Sequence, residues 1–367
     1  MADWGASGRR DTYSFDLVDP FSLERVGSLD ADPLECSLTW GYYTDNILSG
    51  TVSEVNDDFR LNGADTLIRV NHHVELPDGT EADEVLGTMF VDSVSRRSHD
   101  GVTRRSLSMY STLWRLTQDY LPSDFARAKG RNVVDAIKSL VNTAGGRFSV
   151  SHDAPTARTF GADIWFGIGE NRMEVATTIA GWIDCEIGVN PNGWVTLSPY
   201  VDPADRSVAY TFEDGTNCVY KGGIDWESSR SDPINRVVAY WSRESDRDGD
   251  GLGLSQRCVV DLPESYQFSY QRCGRYRTEV LHESEPCTLA ELRDRAWRHL
   301  MDNCGDVTWI TVEHPRVPGL QVGDVVDYVN SVDDTSRVSV RCMVEEMSIP
   351  KLGPGCMTQS KLRILRW

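Results

Sequence analysis

The stretch Gly222 to Trp241, GGIDWESSRSDPINRVVAYW, decides the fold, because the clearest change of register in the chain falls inside it. Before it, helical and extended patterns alternate; after it, most runs read as strands. Ile234, Val237, Val238, Tyr240 and Trp241 make a β-branched and aromatic strand, and Ser231-Asp232-Pro233 ahead of them blocks a helix and sets a turn. A strand this apolar cannot sit wet on both faces. The pattern predicts a central strand of a barrel or sandwich, entered just after the chain leaves a different domain.

Upstream, Tyr13 to Leu113 reads as six β-strands: YSFDLVD, LECSLTW, TVSEVNDDFRL, TLIRVNHHVEL, LGTMFVDSVSRR and VTRRSLSMY. Turn signals at Asn62-Gly63, Pro77-Asp78-Gly79 and Asp100-Gly101 separate several of them. Within the fourth, Ile68, Val70, His72 and Val74 share one side and Leu67, Arg69, Asn71 and His73 the other. Regular spacing of this kind predicts a small antiparallel barrel or sandwich over residues 1–122, closed by a short helix in STLWRLTQDY.

Residues 123–204 change character and predict an α+β insert. Val133, Ile137, Leu140, Val141 and Ala144 fall at helical spacing, with Gly145-Gly146 as the stop. A second helix opens at Asn171 with Glu174 three residues on, and Met173, Ala176, Ile179, Ala180 and Ile183 form its stripe. CEIGVNPNGWVTLSPY is a hairpin over Pro191-Asn192-Gly193. Residues 205–367 return to strands and predict a second barrel, with a helix at 288–303 inserted. That helix opens on a full capping box, Thr288-Leu289-Ala290-Glu291, and Leu289, Leu292, Ala296 and Leu300 give its apolar stripe. The fold class is therefore α+β and β-rich.

A chain of 367 residues, 40% apolar and 25% charged, is long enough for two or three domains. The first thirty residues carry Arg9, Arg10, Asp11, Asp16 and Asp19 with no apolar block, so no secretory signal and cytoplasmic synthesis are expected. Nine cysteines, an odd number with no CxxC spacing, argue for reduced thiols over a disulfide framework or zinc ribbon. A net charge of −19 argues against a surface that grips nucleic acid, since phosphate contacts need Lys and Arg. An acidic wall can instead let a polyanion slide past.

Chemistry is sparse. HExxH, GxSxG, SxxK and GxxxxGK[ST] are all missing, and no cysteine lies in a local nucleophile signature. Gly167-Ile168-Gly169 precedes a helix, but Arg172 stands where a dinucleotide loop needs its third glycine, so a plain strand-to-helix turn is the reading. Adjacent His72 and His73 point to opposite faces of a strand and cannot share a metal. Asp246, Asp248, Asp250 and Gly251 match the first half of a calcium loop, yet Arg257 occupies the position of the bidentate Glu; a solvated hairpin tip fits better. No catalytic, cofactor or metal residues are therefore assigned, although a pair of carboxylates set apart in space leaves no fixed sequence spacing.

The succession of LGTMFVDSVSRRSHDGVTRRSLSMYSTLWRLTQD, GRNVVDAIKSLVNTAGGRF, ENRMEVATTIAGWIDCEIGVNPNGWVTL, DPINRVVAYW, TLAELRDRAWRHL and VPGLQVGDVVDYV resembles the baseplate hub family of phage tails. That family includes the distal hub of long-tailed siphophages and its contractile-tail relatives. The INRV strand, the helix Thr288 to Asn303 and the PGLQVGDVV turn carry most of the resemblance. It implies a non-enzymatic virion protein at the tail tip, built of two tail-tube-like barrels and smaller α+β domains. It further implies a homotrimeric ring joining a sixfold tube, or distal tail protein, to threefold tip, fibre or tape-measure proteins, with genomic DNA passing through the lumen. No membrane anchor, and no lysozyme-like or peptidase-like module after Trp367, is expected. The competing readings are a tail-associated enzyme attacking cell walls, which requires a cleft of converging carboxylates or a Cys-His pair, and a carbohydrate-binding module, which requires exposed aromatic platforms.

Overall fold

The computed structural model describes residues 3–42, 47–55, 67–99, 102–213, 225–229, 233–241, 256–266, 268–283, 287–304, 307–333 and 336–365. The turns expected at Asn62-Gly63 and Asp100-Gly101 and the acidic loop of Asp246, Asp248 and Asp250 lie outside these residues.

The first part of the chain forms β1 (Arg10–Val18), β2 (Arg25–Leu29), β3 (Ser37–Gly41), β4 (Leu48–Glu54), β5 (Leu67–Glu75), β6 (Glu81–His99) and β7 (Val102–Ser111). Six of the seven coincide with the runs read from sequence. β2, RVGSL, has no two-residue alternation to betray it: Val26 is exposed, and Gly27 is there to lie against Leu17 of β1. β5 shows the expected period, with Ile68, Val70, His72 and Val74 all buried on one face.

The α+β part comprises α1 (Trp114–Thr117), β8 (Phe125–Arg127), α2 (Val133–Thr143), β9 (Phe148–Val150), β10 (Ile164–Phe166), α3 (Arg172–Gly181), β11 (Cys185–Val189) and β12 (Val195–Pro199). Both long helices start where a side chain satisfies orphan N–H groups. Asn132 accepts from Asp135 N at 3.0 Å, and Asn171 accepts from Met173 N at 2.9 Å and Glu174 N at 3.3 Å. Ile137, Leu140 and Val141 of α2 pack with Val175, Ala176 and Ile179 of α3 in a core of their own. The β11-β12 hairpin seats on the sheet, where Thr88 donates to Pro191 O at 2.8 Å and Thr112 to Gly193 O at 2.9 Å.

The remainder supplies β13 (Val208–Glu213), β14 (Asp225–Ser229), β15 (Arg236–Trp241), β16 (Gln256–Asp261), α4 (Tyr270–Cys273), β17 (Thr278–Glu283), α5 (Leu289–Asn303), β18 (Val307–His314), β19 (Val325–Asp333), β20 (Ser336–Ile349) and β21 (Thr358–Ile364). Six of these strands, β13, β14 and β18 to β21, join β1 to β7 in one 13-stranded sheet. The joint is β20. One edge pairs with β21; the other pairs first with β19 and then, over Glu346 to Ile349, with Gly41 to Leu38 of β3. Phe15, Leu38 and Met109 consequently share a core with Phe212, Tyr328 and Leu362. The molecule is α+β and β-rich, as its sequence pattern predicts.

β15 is central, but not in that sheet. It lies between β16 and β17 in a three-stranded sheet with α5 against one face. Its burial explains the difference from the barrel or sandwich position expected of it: Val237 and Ala239 are fully covered, while Val238 and Tyr240 are only half-buried. One face is dry, whereas a barrel or sandwich core strand of this composition would need more cover. α5 begins with the expected reciprocal cap, Thr288 N donating to Glu291 Oε2 at 2.9 Å and Glu291 N to Thr288 Oγ1 at 3.3 Å. The segment SYQFSYQRCGRYRTEVLHE is not extended throughout: it turns through α4, stops at left-handed Gly274 (φ 69°), and becomes a strand only at Thr278.

Leu38 sits on the β3-β20 joint with no exposed surface. Leu38→Ala is expected to cost about 2–5 kcal/mol, read as a lowered urea midpoint with an unchanged slope.

Candidate functional site

A chain of buried charges crosses the boundary between the two sets of sheet strands. On β1, Asp11 is held by Arg9, whose Nε donates to Asp11 Oδ1 at 3.0 Å. The β5 residue His72 bridges two carboxylates, with Nε2 2.8 Å from Asp11 Oδ1 and Nδ1 2.9 Å from Glu84 Oε1 of β6. Arg316, just after β18, reaches Glu84 with both ends of its fork, Nε to Oε1 and Nη2 to Oε2, each at 3.0 Å. Gly319 N is a second donor to Oε2, at 3.1 Å, and Arg316 Nη1 donates to Leu320 O at 2.7 Å. Tyr13 stacks on the His72 ring at 4.9 Å.

Burial pushes the Glu84 carboxyl up, but the His72 hydrogen bond and the Arg316 guanidinium outweigh it and hold it down at about 2. Asp11 is also lowered: burial raises it, and the bonds from His72 and Arg9 win. His72 moves the other way, since burial lowers it while its bonds to Asp11 and Glu84 raise it above the ordinary 6.5. A carboxylate fixed in its ionised form by two side chains and a backbone N–H has no proton to lend near neutrality. The cluster is built as a clamp, with Glu84 held as a fixed negative charge between His72 and Arg316.

A cavity of about 510 Å³ opens beside Glu84, where the sheet meets the α+β part, lined by Trp40, Tyr42, Glu186, Arg316, Gln321 and Met347 among others. Its second carboxylate is also engaged: Tyr42 donates to Glu186 Oε1 at 2.9 Å, and Arg206 Nη2 donates to the Tyr42 hydroxyl at 3.0 Å. Arg206 Nη1 reaches Gly323 O at 2.7 Å. Gly323, in the PGLQVGDVV turn, has φ 87°, and a Cβ there would meet the Tyr42 ring at 2.6 Å, so glycine is required twice over. A second cleft of about 830 Å³ separates α3 from α5 and is crossed by arginine. Arg295 pairs with Glu283 at 2.8 Å and donates to Trp182 O at 3.2 Å, and Arg298 pairs with Asp184 at 3.0 Å.

His72 and His73 point apart as expected, His72 into the clamp and His73 outward to Asp83 at 2.8 Å. The Gly167-Ile168-Gly169 stretch is a turn between β10 and α3. Arg172, awkward for a helix N-terminus, is balanced by Asp119 at 2.7 Å. Among the described residues no three or more His, Cys, Asp or Glu side chains are gathered as metal ligands. No helix among them is long and apolar enough to cross a membrane. Sequence reasoning missed the clamp itself, whose one local signal is a histidine in the apolar row of β5.

No protein-family model and no curated protein matches this chain. Solved structures do. The tail protein of Neisseria meningitidis MC58 superposes with a TM-score of 0.67 at 16% identity, covering 96% of both chains. The fold is that of phage tail proteins. The 43 kDa tail protein of prophage MuSo2 from Shewanella oneidensis gives 0.62 at 12% identity over 96% of this chain and 98% of its own. Prophage tail protein gp18 from Listeria monocytogenes EGD-e gives 0.59 at 9% over 95% and 94%. The tail-protein fold thus runs through the sheet, the α+β part and the α5 layer together, in agreement with the hub resemblance read from the segment order.

Arg316→Met, which strands Glu84 in a buried site, is expected to cost about 3–5 kcal/mol, measured by urea denaturation. The pH dependence follows from the signs. Glu84, lowered from 4.5, stabilises fully above that value, and its contribution drains away as pH falls toward about 2. His72, raised from 6.5, stabilises fully below that value and loses its contribution as pH rises through its higher folded pKa. Buried His314 is pushed down to about 4, chiefly by desolvation, so its contribution is present above 6.5 and declines toward pH 4. Glu84→Gln is expected to reduce the stability loss between pH 4.5 and 2, leaving the share carried by Asp11, and to leave the His314 step between 6.5 and 4 in place, by thermal midpoints across that range.

Proposed function

We propose that this chain is a structural virion protein, the subunit of a trimeric hub ring at the tail tip. The observation that carries the reading is likeness to phage tail proteins over nearly the whole length of both chains. In this reading the strands of residues 1–122, and those of 205–367 outside the α5 layer, form two tube-like barrel modules, and the α+β part of 123–204 braces them. Three subunits would then present six modules around one channel, matching a sixfold tube, or a distal tail protein, on one side and threefold tip, fibre or tape-measure proteins on the other. Closed symmetry covers sheet edges that would otherwise invite aggregation.

DNA would cross the lumen without specific binding. The net charge of −19 supports this, because an acidic wall does not trap phosphates. The chain would be made and assembled in the host cytoplasm and reside at the virion tail tip. It would not be an enzyme: the carboxylates Glu84 and Glu186 beside the cavity of about 510 Å³ are already committed to His72, Arg316 and Tyr42.

Quantitative mass spectrometry of purified virions encoded with this chain is expected to find three copies per tail. Six copies, absence from the particle, or a cleared zone on a cell-wall zymogram would each overturn the proposal.

A further inference from the structure

The layer of residues 233–304 meets the α+β part along one face of α5, through Glu291, Arg295 and Arg298. Space is left on both sides of Arg295. Toward Arg298 lies the cleft of about 830 Å³, and toward Glu291 a smaller hollow of about 280 Å³ bounded by Arg158 and Gly161. Arg295 and Trp182 line both, so the contact is a narrow ridge between two openings. No apolar cluster among the described residues spans it. Val237, Leu292 and Leu300 belong to the core of the layer, and Ile179, Trp182 and Ile183 to that of the α+β part.

The charges on the layer side of the ridge keep partners of their own. Arg295 sends one bond across, to Trp182 O at 3.2 Å, but its ion partner at 2.8 Å is Glu283 of β17, inside the layer. Glu291 meets Arg158 through Oε1, while its Oε2 stays with Thr288 N and Oγ1, each at 2.9 Å. The Arg298 and Asp184 side chains are 36% and 57% exposed, so water reaches both. Separating these two surfaces therefore strands no buried charge, whereas pulling apart the Glu84–Arg316 fork strands two. The α+β part is tied to the sheet more firmly. Thr88 and Thr112 donate to carbonyls of its β11-β12 hairpin, Tyr42 donates to Glu186, and Ile47 packs against its core.

We infer that the α5 layer is a lid. It swings away from the α+β part about its two adjacent ends, where Ile234 N bonds Asn303 O at 3.1 Å, and widens the cleft over Glu174, Thr177 and Thr178 of α3. Bodies joined by a small polar contact move as units. The closed position is held by pairs that solvent screens and not by shared apolar burial, so ionic strength sets the balance between closed and open. The lid is a property of the isolated chain and stands whether or not the hub reading does.

The test is double electron–electron resonance on the full chain, with spin labels attached to p-acetylphenylalanine so that the native cysteines stay untouched. Labels replace the exposed Lys138 of α2 and Asp294 of α5. Raising NaCl from about 0.1 to about 1 M shortens the Debye length from about 10 to about 3 Å. A second, longer Lys138–Asp294 distance is then expected to gain at least about five-fold in population, the scale of a few screened pairs. Arg158→Ala together with Asp184→Asn removes anchors on the α+β side and leaves the layer's own bonds in place; it should raise the same longer distance at the lower salt. A single distance that neither salt nor this variant changes overturns the inference. Labels at Lys138 and at the exposed Glu81 of β6 report on the α+β part and the sheet, which are expected to hold one distance throughout. A salt-dependent shift in that pair also overturns the inference, since the layer would then not be the moving body.

Discussion

The Glu84–Arg316 pair fixes how the two parts of the large sheet meet, and most of the architecture follows from it. The two residues are 232 positions apart in sequence, yet they share a bidentate fork with both side chains largely dry. Two buried charges are tolerated only when every remaining donor and acceptor is used. Here Glu84 also takes His72 and Gly319, and Arg316 also takes the Leu320 carbonyl. Any sliding of β18 to β21 past β1 to β7 would strand charge in a low dielectric. Apolar contacts in the shared core are less particular about register, so the clamp supplies specificity where the hydrophobic cluster supplies bulk stabilisation.

What could be read from the sequence, and what could not, divides along the range of the interaction. The starts of α2, α3 and α5 are legible to within a residue because their caps are local: Asn132, Asn171 and Thr288 act on groups two or three positions away. Most strands were legible from period-two burial. Strand partners were not, since the pairing of β3 with β20 joins residues some three hundred positions apart and leaves no mark on either run. The clamp was half legible. His72 stands between Val70 and Val74 in a buried row, and a polar group there must find partners; which carboxylates those are depends on the β1-β5 and β5-β6 registers, known only from the fold.

The α5 layer shows how a large insertion leaves the sheet undisturbed. β14 and β18 are antiparallel neighbours, with Ser229 opposite Val307, and the layer of residues 233–304 leaves from one and returns to the other. Its two ends lie side by side, Ile234 N bonding Asn303 O at 3.1 Å. For β14 and β18 the insertion is equivalent to a hairpin loop, and loop-closure entropy grows slowly with length. The layer folds on its own core of Val237, Ala239, Leu292, Ala296 and Leu300, and it meets the α+β part through Arg158–Glu291, Arg295–Trp182 and Arg298–Asp184 contacts.

Those contacts differ in kind from the one inside the sheet. Pairs such as Arg158–Glu291 and Arg298–Asp184 are partly exposed, so solvent screens them and each is worth little alone. The strands of the large sheet, by contrast, share backbone ladders, a continuous apolar core and a dry ion pair. Resistance to deformation is therefore concentrated along the sheet, and compliance lies between the sheet-borne body and the α5 layer. That division arises from where the chain places its charges: dry and fully bonded at the joint of the sheet, and largely solvent-exposed at the joint between layers, where Arg295, bonded to both Glu283 and Trp182, is the drier contact.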